Sequence, residues 1–230
     1  AYLAAIFNTR RAPLATAAAR RALTATLDRA GVAAAILGGA ATLTGPWLPD
    51  DPSYDPAVAP VPFARAATPV AAPPALTVLV PAGSTTTARI ADIWAADARG
   101  QFALAVAAVP FAELLGRLAA GDFDVALTSL SAGPEADPAA RLASDAPADQ
   151  AWPGLADPEL DRLFAARAAT AGAAERAALG QAIHRRVAEM APMAFIAVDT
   201  RAGLVRADLG GVLGDGKGLP PGWRLWRAAR

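Results

Sequence analysis

The chain has 230 residues, of which 54% are hydrophobic and 18% charged, so it has enough apolar side chain to bury one large or two small cores. Its 21 basic residues balance its 21 acidic residues, and nothing in the charge predicts binding to nucleic acid or to an anionic membrane surface. Cysteine is absent, which excludes disulfides, thiolate catalysis and cysteine-bound metals.

The beginning of the chain reads as a strand followed by a helix. The apolar run at residues 2–7 ends in a polar turn, which predicts a strand. Thr16 can accept hydrogen bonds from the free amides of a following helix, in which Leu23 and Leu27 lie one turn apart on the same face. We expect this helix to break at Gly31 and then to continue.

The middle of the chain alternates between strands and helices. Runs of aliphatic residues predict strands at 76–80, 102–109 and 123–127, and amphipathic spacing predicts one helix in each interval between them. This β-α-β-α-β order predicts an α/β fold whose core is a parallel sheet flanked by helices.

Two polar segments follow strands of this predicted sheet. Parallel sheets bind ligands outside the carboxyl ends of their strands. Segment 128–137 contains Ser129, Ser131 and Asp137 as hydrogen-bonding groups, so we expect it to contribute to a binding site. Segment 81–87 could offer helix amides and hydroxyls to an anion, although ordinary N-capping explains the same residues.

Two further helices and a strand are predicted after the sheet core. Asp157, followed by proline and glutamate, begins one helix, and a second helix follows Gly172 and ends before Pro192. The apolar run at 193–198 then predicts a strand. His184, the only histidine, lies one position off the apolar stripe of the second helix, so we expect it beside solvent and outside any catalytic site.

These patterns divide the chain into four segments, the second of which is rich in proline and can sustain neither a helix nor a strand ladder. The segments are a strand and helix that enter the lobe (1–44), a proline-rich loop (45–74), an α/β lobe with C-terminal helices (75–200) and an irregular return segment (201–230).

Several stretches resemble, in the same order, one protein family. Taken together they are similar to the bacterial extracellular solute-binding proteins of family 5, the peptide/nickel type, which are receptors of ABC importers. The stretches are FNTRRAPL (7–14), RRALTATLDR (20–29), GGAATLTGPWLPDDPSYDP (38–56), FAELLGRLAAGDFDVALTS (111–129), DPELDRLFAAR (157–167) and AERAALGQAIHRRVAEMAPMAFI (174–196).

The resemblance implies a fold of two α/β lobes around a ligand cleft, of which this chain resembles the C-terminal portion, a periplasmic-binding-protein-like lobe. It also implies that the stretch after the strand at 123–127 contacts the ligand, which makes Ser129, Leu130, Ser131 and Asp137 candidate binding residues. Asn8, at the strand that resembles the crossing between lobes, is a further candidate contact.

The function implied is that of a substrate-binding component of an ABC importer, or a fragment of one, which captures peptides or similar small solutes. Its partners would be that ligand and the permease subunits, with no nucleic acid, cofactor or metal. We expect a monomer in the periplasm or outside the cell, and any membrane anchor would lie in a segment before residue 1.

Two alternatives stay open at this stage. One is a small α/β hydrolase that uses Ser84 or Ser129 with His184, although neither serine lies in a G-x-S-x-G motif. The other is a degenerate fragment that folds but binds nothing.

Overall fold

The structure is a computed structural model that describes residues 1–65, 69–131 and 137–199, together with two short strands near the end of the chain. Most of the predicted return segment 201–230 lies outside the described residues. The described strands are β1 (Tyr2–Phe7), β2 (Ala75–Pro81), β3 (Ala103–Val109), β4 (Val125–Leu130), β5 (Met193–Val198), β6 (Leu209–Gly210) and β7 (Arg227–Ala228). The described helices are α1 (Ala17–Ala25), α2 (Arg29–Ala35), α3 (Thr85–Asp97), α4 (Phe111–Ala120), α5 (Ala139–Leu142), α6 (Pro158–Ala169) and α7 (Ala173–Met190).

Five strands form one mixed sheet in the order β3-β2-β4-β1-β5. Strand β2 runs parallel to both β3 and β4, which confirms the predicted parallel core. Strand β1 lies between β4 and β5 and is antiparallel to both. The carboxyl ends of β2 to β5 and the start of β1 therefore lie at the same edge of the sheet, and β6 pairs with β7 apart from it.

Helices cover both faces of the sheet, and each face has its own hydrophobic core. One core packs α1, α2 and α3 against the sheet, with Trp94 as its largest fully buried side chain. The other core packs α4 to α7 against the opposite face. All six residues of β1 are buried because its alternate side chains enter the two cores, which is why this strand is a continuous apolar run.

The first helix ends earlier than predicted. Helix α1 stops at Ala25, and the Asp28 side chain begins α2 by accepting a hydrogen bond from the Gly31 amide at 2.9 Å. The predicted break at Gly31 is therefore wrong, because that residue lies in the first turn of α2. A Cβ atom at Gly31 would lie 2.3 Å from Oδ2 of Asp28, so glycine leaves room for the cap.

The predicted start of helix α6 is confirmed. Asp157 accepts a hydrogen bond from the Leu160 amide at 2.8 Å, and Arg186 of α7 pairs with the same carboxylate at 2.7 Å. Burial raises the pKa of Asp157, but the hydrogen bonds from Arg186 and from the backbone outweigh it and hold that pKa below its ordinary value. This carboxylate therefore joins the two helices.

Strand β4 runs three residues further than predicted. It was expected at 123–127 and spans Val125–Leu130, with Ser129 opposite Leu3 and Leu130 opposite Tyr2 in β1. The polar residues at its end therefore belong to a paired strand and not to the start of a loop. The strand continues because β1 provides backbone partners that polar side chains do not disturb.

Candidate functional site

A cavity of about 200 Å³ lies at the edge of the sheet where β4 ends and β1 begins. Its polar lining comes from Tyr2, Ser131, Asp137, Arg141 and Gln150. The pairing of Tyr2 with the last residue of β4 brings the start of the chain beside the segment that leaves the sheet. The cavity thus lies where ligands are expected to bind an α/β sheet.

Two of the residues proposed from sequence, Ser131 and Asp137, line this cavity together. The sequence interpretation missed Tyr2, Arg141 and Gln150. Tyr2 lies in an apolar run that indicates only a buried strand, and Arg141 and Gln150 follow in segments without a recognisable motif. The one available signal was the proximity of Arg141 to Asp137, one helical turn later in the sequence.

Leu130 and Ser129 do not line the cavity. Leu130 is 2% exposed and packs in the core beneath α4 to α7. Ser129 is exposed, and because side chains alternate along a strand it projects to the opposite face of the sheet from Leu130. Of these two neighbours, only Ser129 is accessible from outside.

Asn8 lies at the other end of β1 from Tyr2, about 20 Å away at the ordinary rise of a strand. It is buried, and its Nδ2 donates hydrogen bonds of 2.9 Å to the carbonyls of both Gly121 and Phe123. Its Oδ1 accepts from the Arg10 amide at 3.2 Å. The structure therefore does not bring Asn8 to the cavity, and its amide group joins β1 to the turn before β4.

Tyr2 and Arg141, which face the cavity, have displaced pKa values. Burial raises the pKa of Tyr2 to about 12, against an opposing effect of Arg141. Burial lowers the pKa of Arg141, and Tyr2 acts in the opposite direction. At neutral pH Tyr2 is a neutral hydrogen-bond donor and Arg141 keeps its charge. The cavity therefore offers hydroxyls, a carboxamide, one carboxylate and one guanidinium, which suits a small polar ligand.

His184 is fully buried, so the prediction that it lies beside solvent is wrong. The segment around Thr44 and Asp55 folds over α7 and covers it. The imidazole Nδ1 accepts a hydrogen bond from the Asp55 amide at 2.9 Å, and Nε2 lies 3.0 Å from Oγ1 of Thr44. Both ring nitrogens thus have structural partners, and the hydrolase alternative with Ser84 or Ser129 is not supported.

Segment 81–87 is an ordinary helix start. Ser84 is the N-cap of α3, and its hydroxyl accepts a long hydrogen bond of 3.4 Å from the Thr87 amide. The Thr87 hydroxyl donates back to the Ser84 carbonyl at 3.2 Å. These reciprocal bonds account for the hydroxyl-rich sequence without a bound anion.

We expect Ser84→Ala to lower the free energy of unfolding by about 0.5–1 kcal/mol, because the first turn of α3 loses its cap. Urea unfolding followed by circular dichroism measures the change. The matched control is Thr85→Ala, since Thr85 is exposed and is the first residue of the same helix. Equal losses in the two variants would contradict the capping role of Ser84.

A larger cavity of about 270 Å³ lies between α2, α7 and β5, on another part of the surface. Arg29 is one of three arginines that line it, and its guanidinium donates to the carbonyls of Leu43 and Phe195 at 3.3 and 3.2 Å and to that of Val61 at 2.6 Å. These bonds hold the proline-rich segment against the sheet. None of the residues proposed from sequence lines this cavity.

In the part of the chain that the structure describes, no group of three or more His, Cys, Asp or Glu residues could hold a metal ion. No helix among the described residues is long and apolar enough to cross a membrane.

No protein-family model matches the sequence, and no curated protein matches it. Solved structures do match. The oligopeptide-binding protein AppA from Bacillus subtilis, in complex with a nonapeptide, has a TM-score of 0.81 at 15% identity, over 100% of this chain and 51% of its own. DppA from Helicobacter pylori is an ABC transporter-associated periplasmic binding protein, solved in complex with the peptide STSA. It has a TM-score of 0.78 at 14% identity, and the match covers 100% of this chain and 47% of DppA.

The periplasmic murein tripeptide binding protein MppA, in its unliganded open form, has a TM-score of 0.77 at 21% identity, over 92% of this chain and 44% of its own. The chain has the fold of a solute-binding-protein lobe. The three neighbours are family 5 solute-binding proteins, so the structure confirms the fold that the sequence resemblance implies. The lobe spans about half the length of each of them.

Proposed function

We propose that this lobe is part of the substrate-binding component of an ABC importer and captures peptides or similar small solutes outside the cytoplasm. The observation that carries the proposal is the cavity at the carboxyl edge of the sheet, where Ser131 and Asp137 meet. Binding would need no covalent chemistry, since hydroxyl, carboxylate and backbone groups can satisfy a polar ligand.

The structural neighbours support this class of ligand. AppA and DppA were solved with bound peptides, and MppA is described as a tripeptide-binding protein. DppA and MppA are periplasmic binding proteins, and DppA is associated with an ABC transporter, which supports the same location and partner for this lobe. We therefore propose that the present lobe acts outside the cytoplasm, as a monomer, and delivers its ligand to the permease subunits of an ABC importer.

Ser131 and Asp137 are the residues that we propose to contact the ligand, with Ser129 as an accessible neighbour. Asp137 also accepts a hydrogen bond from the Ala139 amide at 3.0 Å, which fixes the position of its carboxylate. A carboxylate held in this way is pre-organised, so less conformational freedom is lost when a ligand binds.

Thermal unfolding with and without a pool of di- to pentapeptides tests the proposal. A peptide present at 100 times its Kd stabilises the native state by about 2.7 kcal/mol, which corresponds to an increase in Tm of roughly 5–10 °C for a chain of this size. We expect Asp137→Asn to reduce this increase, because the variant removes a charge from the cavity while keeping the shape of the side chain.

The matched control is Asp145→Asn, since Asp145 is exposed and does not line the cavity. The same increase in Tm for Asp137→Asn and for the wild type would show that the peptide binds elsewhere. Cooperative unfolding with no increase for any peptide would contradict peptide binding by this chain and favour the non-binding alternative.

A further inference from the structure

The guanidinium of Arg141 lies at the wall of the cavity and stacks on the ring of Trp152. Arg141 lies in the short helix α5, and its guanidinium carbon is 4.3 Å from the centroid of the Trp152 ring. The indole is itself fixed by a hydrogen bond of 2.6 Å from its Nε1 to the Asp149 carbonyl. A planar guanidinium stacked on an aromatic ring keeps its donors in a fixed orientation.

The charge of Arg141 is not balanced within the described part of the chain. None of the ion pairs found among the described residues involves Arg141, although arginines such as Arg162 and Arg186 have carboxylate partners. Its Nη1 is buried without a hydrogen-bond partner. A guanidinium at the wall of a cavity, without a carboxylate partner among the described residues, is suited to pair with an anionic group of a ligand.

The neighbouring groups do not serve as the missing anion. Tyr2 stays a neutral phenol at physiological pH, since burial raises its pKa to about 12. Asp137 lines the same cavity but forms no ion pair with Arg141, and its Oδ1 accepts from the Ala139 amide. The cavity therefore has a guanidinium whose acceptor is absent from the described residues.

We propose that Arg141 binds a carboxylate group of the ligand, which makes the cavity selective for small solutes or peptide ends that carry a free carboxylate. This inference rests on the proposed function, because it assigns the chemical class that the same cavity takes. The guanidinium fork matches the two oxygens of a carboxylate. Asp137 carries a negative charge in the same cavity, so it disfavours a doubly charged phosphate more than a singly charged carboxylate.

The hydroxyls of Tyr2 and Ser131 and the carboxamide of Gln150 can donate hydrogen bonds to the same group. A cavity of about 200 Å³ has room for a group the size of one amino-acid residue, so one end of a peptide would enter it and the remainder would lie outside.

Isothermal titration calorimetry with three probes tests the assignment: tri-alanine with a free C-terminus, tri-alanine amide and acetate. We expect the wild-type chain to bind the free acid about tenfold or more tightly than the amide, because only the acid forms a charge-assisted pair with Arg141. Arg141→Gln should abolish this preference, whereas Arg141→Lys should keep part of it, since it retains the charge but not the fork.

The matched control is Arg162→Gln, because Arg162 is exposed on α6 and already paired with Glu159 at 2.7 Å. This control should bind all three probes as the wild type does. A Tm for Arg141→Gln close to that of the wild type shows that the variant is folded. If it fails to fold, Arg141→Lys takes its place, and a preference for the acid equal to that of the wild type would contradict the role of the guanidinium fork.

The outcomes separate this inference from the proposed function. Equal binding of acid and amide by the wild type would overturn the role of Arg141 and leave peptide binding intact. Binding of acetate but of neither peptide, lost in Arg141→Gln, would support the role of Arg141 and contradict peptide binding. Binding of none of the three probes to the wild type would overturn both.

Discussion

Arg20→Met should lower the free energy of unfolding by about 3 kcal/mol or more, since it leaves several buried carbonyls without a donor. Arg20 is 1% exposed, and its Nε donates to the carbonyls of Met190 and Ala191 at 3.1 and 3.0 Å. Its Nη1 donates to the carbonyls of Leu14 and Ala15 at 2.8 and 3.0 Å. Methionine fills a similar volume without any donor.

The loss should be large because Arg20 completes the end of α7. Ala191 is in the left-handed conformation with φ of 46°, and the carbonyls of the last turn carry the negative end of the helix dipole. The guanidinium satisfies those carbonyls and joins the helix to the segment before α1. Among the described residues it has no carboxylate partner, so its charge is balanced by backbone dipoles.

The adjacent residue provides a matched control. Arg21 is exposed, and Arg21→Met should change the free energy of unfolding by less than about 0.5 kcal/mol. Calorimetry should show a fall in Tm of roughly 6–12 °C for Arg20→Met and almost none for Arg21→Met. Similar small changes in both variants would show that the carbonyls find water or other donors in place of Arg20.

Acidification from pH 7.5 to 5.5 should destabilise the chain through His184. Burial lowers the pKa of His184 in the folded state, against opposing effects of a hydrogen bond to Thr44 and of the Asp55 carboxylate. In the unfolded chain the imidazole has its ordinary pKa of 6.5 and binds a proton more readily. The stability contributed by neutral His184 is therefore fully present above pH 6.5 and is lost as the pH falls below it.

The expected loss is at most about 1.4 kcal/mol at pH 5.5, one unit below the pKa of the unfolded side chain. The assignment is direct because the chain has one histidine, and free carboxylates titrate at lower pH. Urea unfolding at a series of pH values measures it. His184→Gln should be less stable than the wild type at pH 7.5 and should show no such dependence, whereas an equal slope in both would assign it to other groups.

Local patterns were sufficient for the elements that depend on neighbouring residues. Strand β5 was predicted with its observed limits because a continuous apolar run indicates a strand buried on both faces. Helix α6 was predicted from its cap, since Asp157 and the proline after it specify a start whatever packs on the helix. Boundaries of this kind are encoded within a few residues.

The misplaced features depend on partners that are distant in the sequence. The end of β4 could not be predicted because Ser129 continues the strand only where β1 provides the opposite edge. His184 was misplaced although Gly180, Ile183, His184 and Val187 form a regular buried stripe on α7. The stripe was not recognised because Gly180 carries no apolar side chain that would mark it as buried. Gly180 packs against Ser53, and a Cβ atom at this position would lie 2.3 Å from the Ser53 Cβ.

Only part of the candidate site could be predicted from the sequence, because some of its residues meet through contacts that are distant in the chain. Ser131 and Asp137 follow a strand of a parallel sheet, and the rule for such sheets identifies them without a structure. Tyr2 and Arg141 reach the cavity through tertiary packing. Neither belongs to a motif, so only the folded structure shows that they lie beside the other two residues.

The central position of β1 has a consequence for how the chain acquires its structure. Strand β1 is the first element of the sheet in sequence, but both of its partners come much later, at Val125–Leu130 and Met193–Val198. Contacts between such distant segments form slowly, because a long loop must close before they stabilise the native state. During synthesis, β1 therefore has no sheet partner until β4 emerges, and its other edge stays unpaired until β5 follows, which leaves apolar backbone open to aggregation over most of that time.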